Sequence, residues 1–142
     1  MMAQRKALFT ILGMQRDCDG EENRVELMTQ GTVERQENGI LLRYEESEAT
    51  GMAGSRTQLT LGCGSVDMQR EGEYGMKLHF ERGKQFYSRY ETPYGSMGLS
   101  VLSREVSHRF TAKNGKVKLD YILEFDNNVS YENQLEISVR IL

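Results

Sequence analysis

The chain has 142 residues, of which 38% are hydrophobic and 27% charged, with a net charge of −3. That length suits one domain that buries its own core without disulfide staples. The mild acidity excludes the basic footprint of a nucleic-acid binder, and Cys18 and Cys63, the two cysteines, read as free thiols of a reducing cytoplasm.

Near the start, Arg5-Lys6 precedes the apolar run Ala7–Met14, a faint outline of a secretory leader. Gln15-Arg16-Asp17 offers no small-residue cleavage site, and the run is too short to cross a bilayer. A first β-strand is the better reading. From there to Leu142 the chain alternates apolar and polar residues in short runs, cut by Gly or Asn turns every 8–12 residues, the beat of an all-β sandwich or barrel. No run carries a helical apolar stripe. The single proline, Pro93, fits a chain in which most residues donate to a β ladder.

Successive side chains on a strand face opposite sides, so each run divides into an inner and an outer set. The inner sets read, in order, Val25, Leu27, Thr29, Gly31 and Val33; Ile40, Leu42, Tyr44 and Glu46; Thr57, Leu59 and Leu61; Val66, Met68 and Arg70. They continue with Tyr74, Met76, Leu78 and Phe80, then Phe86, Ser88, Tyr90 and Thr92. The last two are Val117 to Phe125 on odd numbers and Leu135, Ile137, Val139 and Ile141. One stretch changes phase: Leu99, Val101 and Ser103 are odd, whereas Val106, His108 and Phe110 are even. A β-bulge near Arg104-Glu105 would restore the faces.

Asn38-Gly39 and Asn114-Gly115 have the composition of two-residue type I′ turns, in which both central residues take positive φ. Asp19-Gly20, Arg82-Gly83 and Asn127-Asn128 are further turns. Gly62-Cys63-Gly64 is a turn rather than a phosphate loop, since no helix or third glycine follows, and Gly51–Gly54 is a connector. Hairpins joined in sequence give an all-β, closed, antiparallel up-and-down barrel of about 8–10 strands. Residues 1–142 form a single β-barrel domain.

The inner polar residues carry the functional reading. Candidate ligand contacts inside the barrel are Tyr44, Glu46, Thr57, Arg70, Tyr90, Thr92 and Tyr121. Arg70 shares its face with Val66 and Met68, and an unpaired buried guanidinium is very costly. It must pair, with Glu46 the in-phase partner, or lie at a wet barrel mouth, where its aliphatic stem covers apolar surface. The tyrosines read either as core filling with satisfied hydroxyls or as ligand contacts. Tyr90–Gly95, with Pro93 between two tyrosines, reads as a hairpin or as a rim loop. His79 falls on the outer face, and His108 reads as a satisfied core histidine. No CxxC, HxH or HExxH spacing supports a metal, no catalytic residue stands out, and no cofactor is expected.

The ordered set Tyr44-Glu45-Glu46, Thr57, Gly64-x-Val66-x-Met68-x-Arg70-x-Gly72, Phe80, Gly83, Tyr90-x-Thr92-Pro93-Tyr94-Gly95 and Asn114-Gly115 resembles the bacterial YwiB-like family, over about Val25 to Ile141. The resemblance implies a calycin-type barrel, similar in shape to lipocalins, in a bacterial cytoplasm, and it implies no catalytic residues. The expected function is small-ligand binding in the barrel interior. The alternatives are an enzyme using Glu46, Arg70 and Tyr90, or a packed structural barrel without a ligand. A small molecule is the expected partner, with neither nucleic acid nor membrane; oligomeric state is left open.

Overall fold

The computed structural model describes residues 4–46 and 54–142. Alternation becomes ten strands: Gln4–Asp17 (β1), Glu22–Gln36 (β2), Gly39–Glu45 (β3), Arg56–Leu61 (β4), Ser65–Glu71 (β5), Gly75–Glu81 (β6), Gln85–Thr92 (β7), Gly95–Phe110 (β8), Asn114–Phe125 (β9) and Ser130–Ile141 (β10). Each pairs antiparallel with its successor, and β1 pairs back onto β10 from Ala7↔Ile141 to Asp17↔Tyr131, which closes the ring. The described residues contain no helix. The connector Gly51–Gly54 lies, apart from Gly54, outside the described residues.

The inner faces are those the alternation gives. In β9, Val117, Leu119, Tyr121 and Leu123 are buried, while Lys116, Lys118 and Glu124 are exposed. Phe9, Leu42, Leu59, Phe80, Val101, Val117 and Ile137 retain no exposed surface and fill the waist of the barrel. Burying each large side chain of this kind stabilises the fold by about 1.5–3 kcal/mol. The phase change is a bulge. Ser103 pairs with Tyr121 and Glu105 with Asp120, leaving Arg104 as the extra residue.

An up-and-down barrel places alternate turns at alternate ends. The end carrying the β2–β3, β4–β5, β6–β7 and β8–β9 turns is a floor. Beyond the bulge β8 bends across it, so that His108 Nε2 lies 2.8 Å from the Gly62 carbonyl oxygen and the Arg35 guanidinium donates to the Thr111 carbonyl. His108 is thus satisfied by the backbone. The opposite end is a mouth. Two seams interrupt the ladder. β6 and β7 pair only at Gly75↔Glu91 and Met76↔Tyr90, and β2 pairs with β3 only from Gly31 to Gln36.

The turns correct one expectation. Gly20, Gly83 and Asn128 do take positive φ, of 84°, 78° and 67°. Asn38-Gly39 and Asn114-Gly115, however, do not occupy the central turn positions. Gln36 pairs with Gly39 around Glu37-Asn38, and Phe110 pairs with Gly115, already inside β9. Neither asparagine has positive φ. The glycines are needed for space instead. A Cβ on Gly39 would sit 2.1 Å from the Leu61 carbonyl oxygen, and one on Gly115 would sit 2.2 Å from the Phe110 ring. Gly39→Ala should therefore cost about 1–3 kcal/mol through overpacking, while Asn38→Ala, at an exposed turn, should cost under about 1 kcal/mol. Urea midpoints of the two variants check this; equal losses would return Gly39 to a turn role.

Candidate functional site

Register gathers the sequence candidates into one ring. Tyr44 pairs with Thr57, Thr57 with Arg70, Arg70 with Met76, and Met76 with Tyr90. These five residues thus form a continuous inner row across β3 to β7. A second row runs along the facing wall, where Ser103 pairs with Tyr121, Tyr121 with Asn133 and Asn133 with Gln15. Asn133 and Ser103 are buried polar residues outside the candidate set. Ser103 has the inner phase of Leu99 and Val101, and Asn133 that of Leu135 and Ile137. Their signal was present in the alternation.

The first row holds a buried ion pair. Glu46 follows β3, and its backbone N–H donates to the Ser55 carbonyl at 2.9 Å. The Thr57 hydroxyl donates to Glu46 Oε1 at 2.6 Å. Arg70 Nε lies 3.5 Å from Thr57 Oγ1 and 3.9 Å from Glu46 Oε1. The two charged side chains are 9% and 3% exposed, so water screens the pair little. Glu46 and Arg70 both project inward, as the phase requires.

The surrounding tyrosines are held neutral. Burial, and next the Glu46 carboxylate, push the Tyr44 hydroxyl far above its ordinary value, with Arg70 opposing. Burial raises Tyr121 to about 12, again against the pull of Arg70. Tyr90 is raised by its partial burial and lowered by Arg70. The guanidinium is therefore the common electrostatic neighbour of all three rings. These hydroxyls stay protonated at ordinary pH.

At the mouth the packing opens into a cleft of about 490 Å³, lined by Gln15, Tyr90, Thr92, Tyr94, Met97, Phe125, Asn127, Val129 and Tyr131 among others. Tyr90 and Phe125 have ring centroids 6.2 Å apart, and Phe125 and Tyr131 meet edge-on at 6.0 Å. Such tilted pairs are favourable ring geometries. Tyr94, at the tip of the β7–β8 turn, is 95% exposed. Thr92 uses its hydroxyl in that turn, donating to the Gly95 carbonyl at 2.9 Å and accepting from the Tyr94 N–H at 3.1 Å.

The sequence candidates therefore divide. Tyr90 and Thr92 line the mouth cleft. Tyr44, Glu46, Thr57, Arg70 and Tyr121 lie in the buried rows and line none of the three main clefts among the described residues. Phe125, Met97 and Tyr131 were not among the candidates. Phe125 and Tyr131 sit half-buried at strand ends, where an inward aromatic residue looks like core filling in the sequence. A larger cleft, of about 660 Å³, lies against Leu12, Glu26, Glu105, Lys118 and Glu136. It carries mixed charge and includes no candidate. On the outer face, His79 lies 2.7 Å from Asp67 and 3.4 Å from Glu81, and no cluster of metal-ligand type occurs among the described residues.

Two outcomes follow from the buried rows. Arg70→Met leaves the Glu46 carboxylate without its cation and should cost about 3–5 kcal/mol, with Arg70→Met/Glu46→Gln recovering most of the loss. A double variant no more stable than the single one would show that the pair is not coupled. The second outcome concerns alkaline pH. Tyr121 has a folded value of about 12 against the ordinary phenol value of 10.0, so above pH 10 the unfolded chain releases this proton first. Its contribution is complete below about pH 10 and is lost as pH climbs toward 12. Stability should fall there by about 1 kcal/mol per pH unit per buried tyrosine. Denaturation series between pH 9 and pH 12 should show a shallower fall in Tyr121→Phe; an unchanged slope would remove Tyr121 from the linkage.

Comparison with known proteins agrees with this architecture. The crystal structure of the ywiB protein from Bacillus subtilis is 18% identical in sequence and superposes with a TM-score of 0.86, covering 99% of this chain and 95% of that one. At that identity the likeness concerns the fold. No curated protein matches the chain. Residues 10–137 match the family described as a domain of unknown function, DUF1934. That span takes in most of every strand of the barrel, and the chain belongs to the DUF1934 family.

Proposed function

We propose that the protein binds a small, flat, uncharged molecule at the barrel mouth. The observation that carries this reading is the lining of the mouth cleft. Tyr90, Phe125 and Tyr131 present ring surface, Met97 adds a soft apolar wall, and Gln15 and Asn127 supply neutral hydrogen-bonding groups. Among the described residues, no carboxylate, lysine, arginine or histidine lines the cleft. Arg70 beneath Tyr90 is offset by Glu46, so the base of the cleft offers no net charge to a phosphate or a metal chelate. A concave, mostly apolar site with a few polar groups is the usual form of a small-molecule pocket. The barrel waist, filled by side chains, supports a site at the mouth rather than deep in the interior. The buried Glu46–Thr57–Arg70 cluster supports the walls instead of contacting the ligand. Two exposed free cysteines suit a reducing compartment, in keeping with a cytoplasmic setting.

The uncharged dye Nile red serves as a probe. Its fluorescence should saturate at one molecule per chain. Phe125→Ala should weaken binding by roughly tenfold, about 1.4 kcal/mol, while Tyr87→Ser, at an outward position 72% exposed and outside the cleft, should leave it unchanged. Dye binding that does not saturate, or that falls equally in both variants, would remove the mouth as the site.

A further inference from the structure

Among the described residues, the upper half of β2 is an edge. β1 pairs with β2 along Glu22–Glu34, but on its other side β2 meets β3 only from Gly31 onward. From Glu22 to Gln30, the backbone groups on that side have no partner among the described residues. An unpaired row of N–H and C=O groups is a template for another strand, and proteins normally guard it with proline, charged side chains (lysine above all), a bulge or a covering segment. Glu22–Gln30 contains no proline and no lysine, its pairing to β1 runs without a register shift, and its charged residues, Glu22, Arg24 and Glu26, alternate in sign along one face. The lower half of β8 passes beyond the reach of β7 in a similar way, yet it is guarded by the Ser103/Glu105 bulge and by His108 on the Gly62 carbonyl.

The edge is also complementary to itself. Antiparallel pairing of two such edges about a two-fold axis at Val25 sets Arg24 of each copy opposite Glu26 of the other. Val25 then meets Val25, Asn23 meets Leu27, and Glu22 meets Met28. The outer face would carry two Arg–Glu pairs, and the inner face would bring two half-buried valines together. The Arg24 side chain is 76% exposed and Met28 is 61% exposed, so both are available. The seven paired positions end before Gly31, where β3 takes over the edge.

We propose that Glu22–Met28 is the contact through which two copies of this chain pair edge to edge, joining their barrels into one continuous sheet. An isologous contact of this kind closes after two copies and cannot propagate into a fibre.

Sedimentation velocity on the full chain tests the arrangement by charge reversal. The parent protein should sediment as a concentration-dependent dimer. Arg24→Glu alone, and Glu26→Arg alone, each place like charges opposite one another at two symmetric positions, which should weaken the dimer by roughly tenfold. The double variant Arg24→Glu/Glu26→Arg restores opposite charges and should restore the dimer. Circular dichroism on each variant confirms that the barrel is intact. A parent protein that stays monomeric overturns the proposal, as does a dimer indifferent to the single reversals or one that the double variant fails to recover.

Discussion

Ten strands close into one ring only when each keeps the same face inward all the way round. A shift of one residue anywhere exchanges inside for outside, and the long strand β8 cannot satisfy the rule without help. Its upper half presents odd residues to the core and its lower half even ones. Arg104 absorbs the difference as the extra residue of the bulge. Its side chain points outward to Asp120 at 2.7 Å and Glu132 at 3.3 Å, on the next two strands. The pairs are part exposed, so their energetic weight is small; their effect is to hold the extra residue on the outside. The bend that results lays β8 over the floor and leaves the mouth as the open end.

Closure also explains where the polar groups sit. A ring of inner residues at one level must be filled from facing walls, and here two polar rows meet at that level. Arg70 faces Glu46 and Thr57 on its own wall and acts on Tyr121 from the other. A guanidinium at this depth requires its carboxylate, and the carboxylate requires the Thr57 hydroxyl. The cluster forms a fixed boundary between the apolar waist below and the aromatic mouth above.

Much of this was legible in the alternation. Faces, bulge and the common phase of Glu46 and Arg70 follow from a period of two, because that period is imposed by the backbone whatever the side chains. Register is different. It depends on where each turn begins and how many residues it consumes, and the Asn-Gly pairs place the β2–β3 turn one residue late and make the β8–β9 turn too short. Gly39 and Gly115 resemble turn residues in sequence but serve the close approach of Leu61 and Phe110, a tertiary demand that no local pattern encodes. The row from Tyr44 to Tyr90 is therefore a product of register, and the residues on it could be named from the sequence but not assembled. Phe125 and Tyr131 stayed hidden for another reason. An inward aromatic residue looks the same in sequence whether its ring is covered or lies at the rim.

The pairing of β1 with β10 bears on how the barrel forms. Ala7 must find Ile141 and Phe9 must find Val139, contacts that span almost the entire chain. The hairpins from β2 to β10 need only neighbours in sequence, whereas this last seam has to overcome the entropy of a loop as long as the protein. Folding speed is thereby tied to the final ladder rather than to the hairpins. Until that ladder zips, β1 and β10 are both open strands, and the growing sheet is most vulnerable to pairing with a neighbouring chain during that interval.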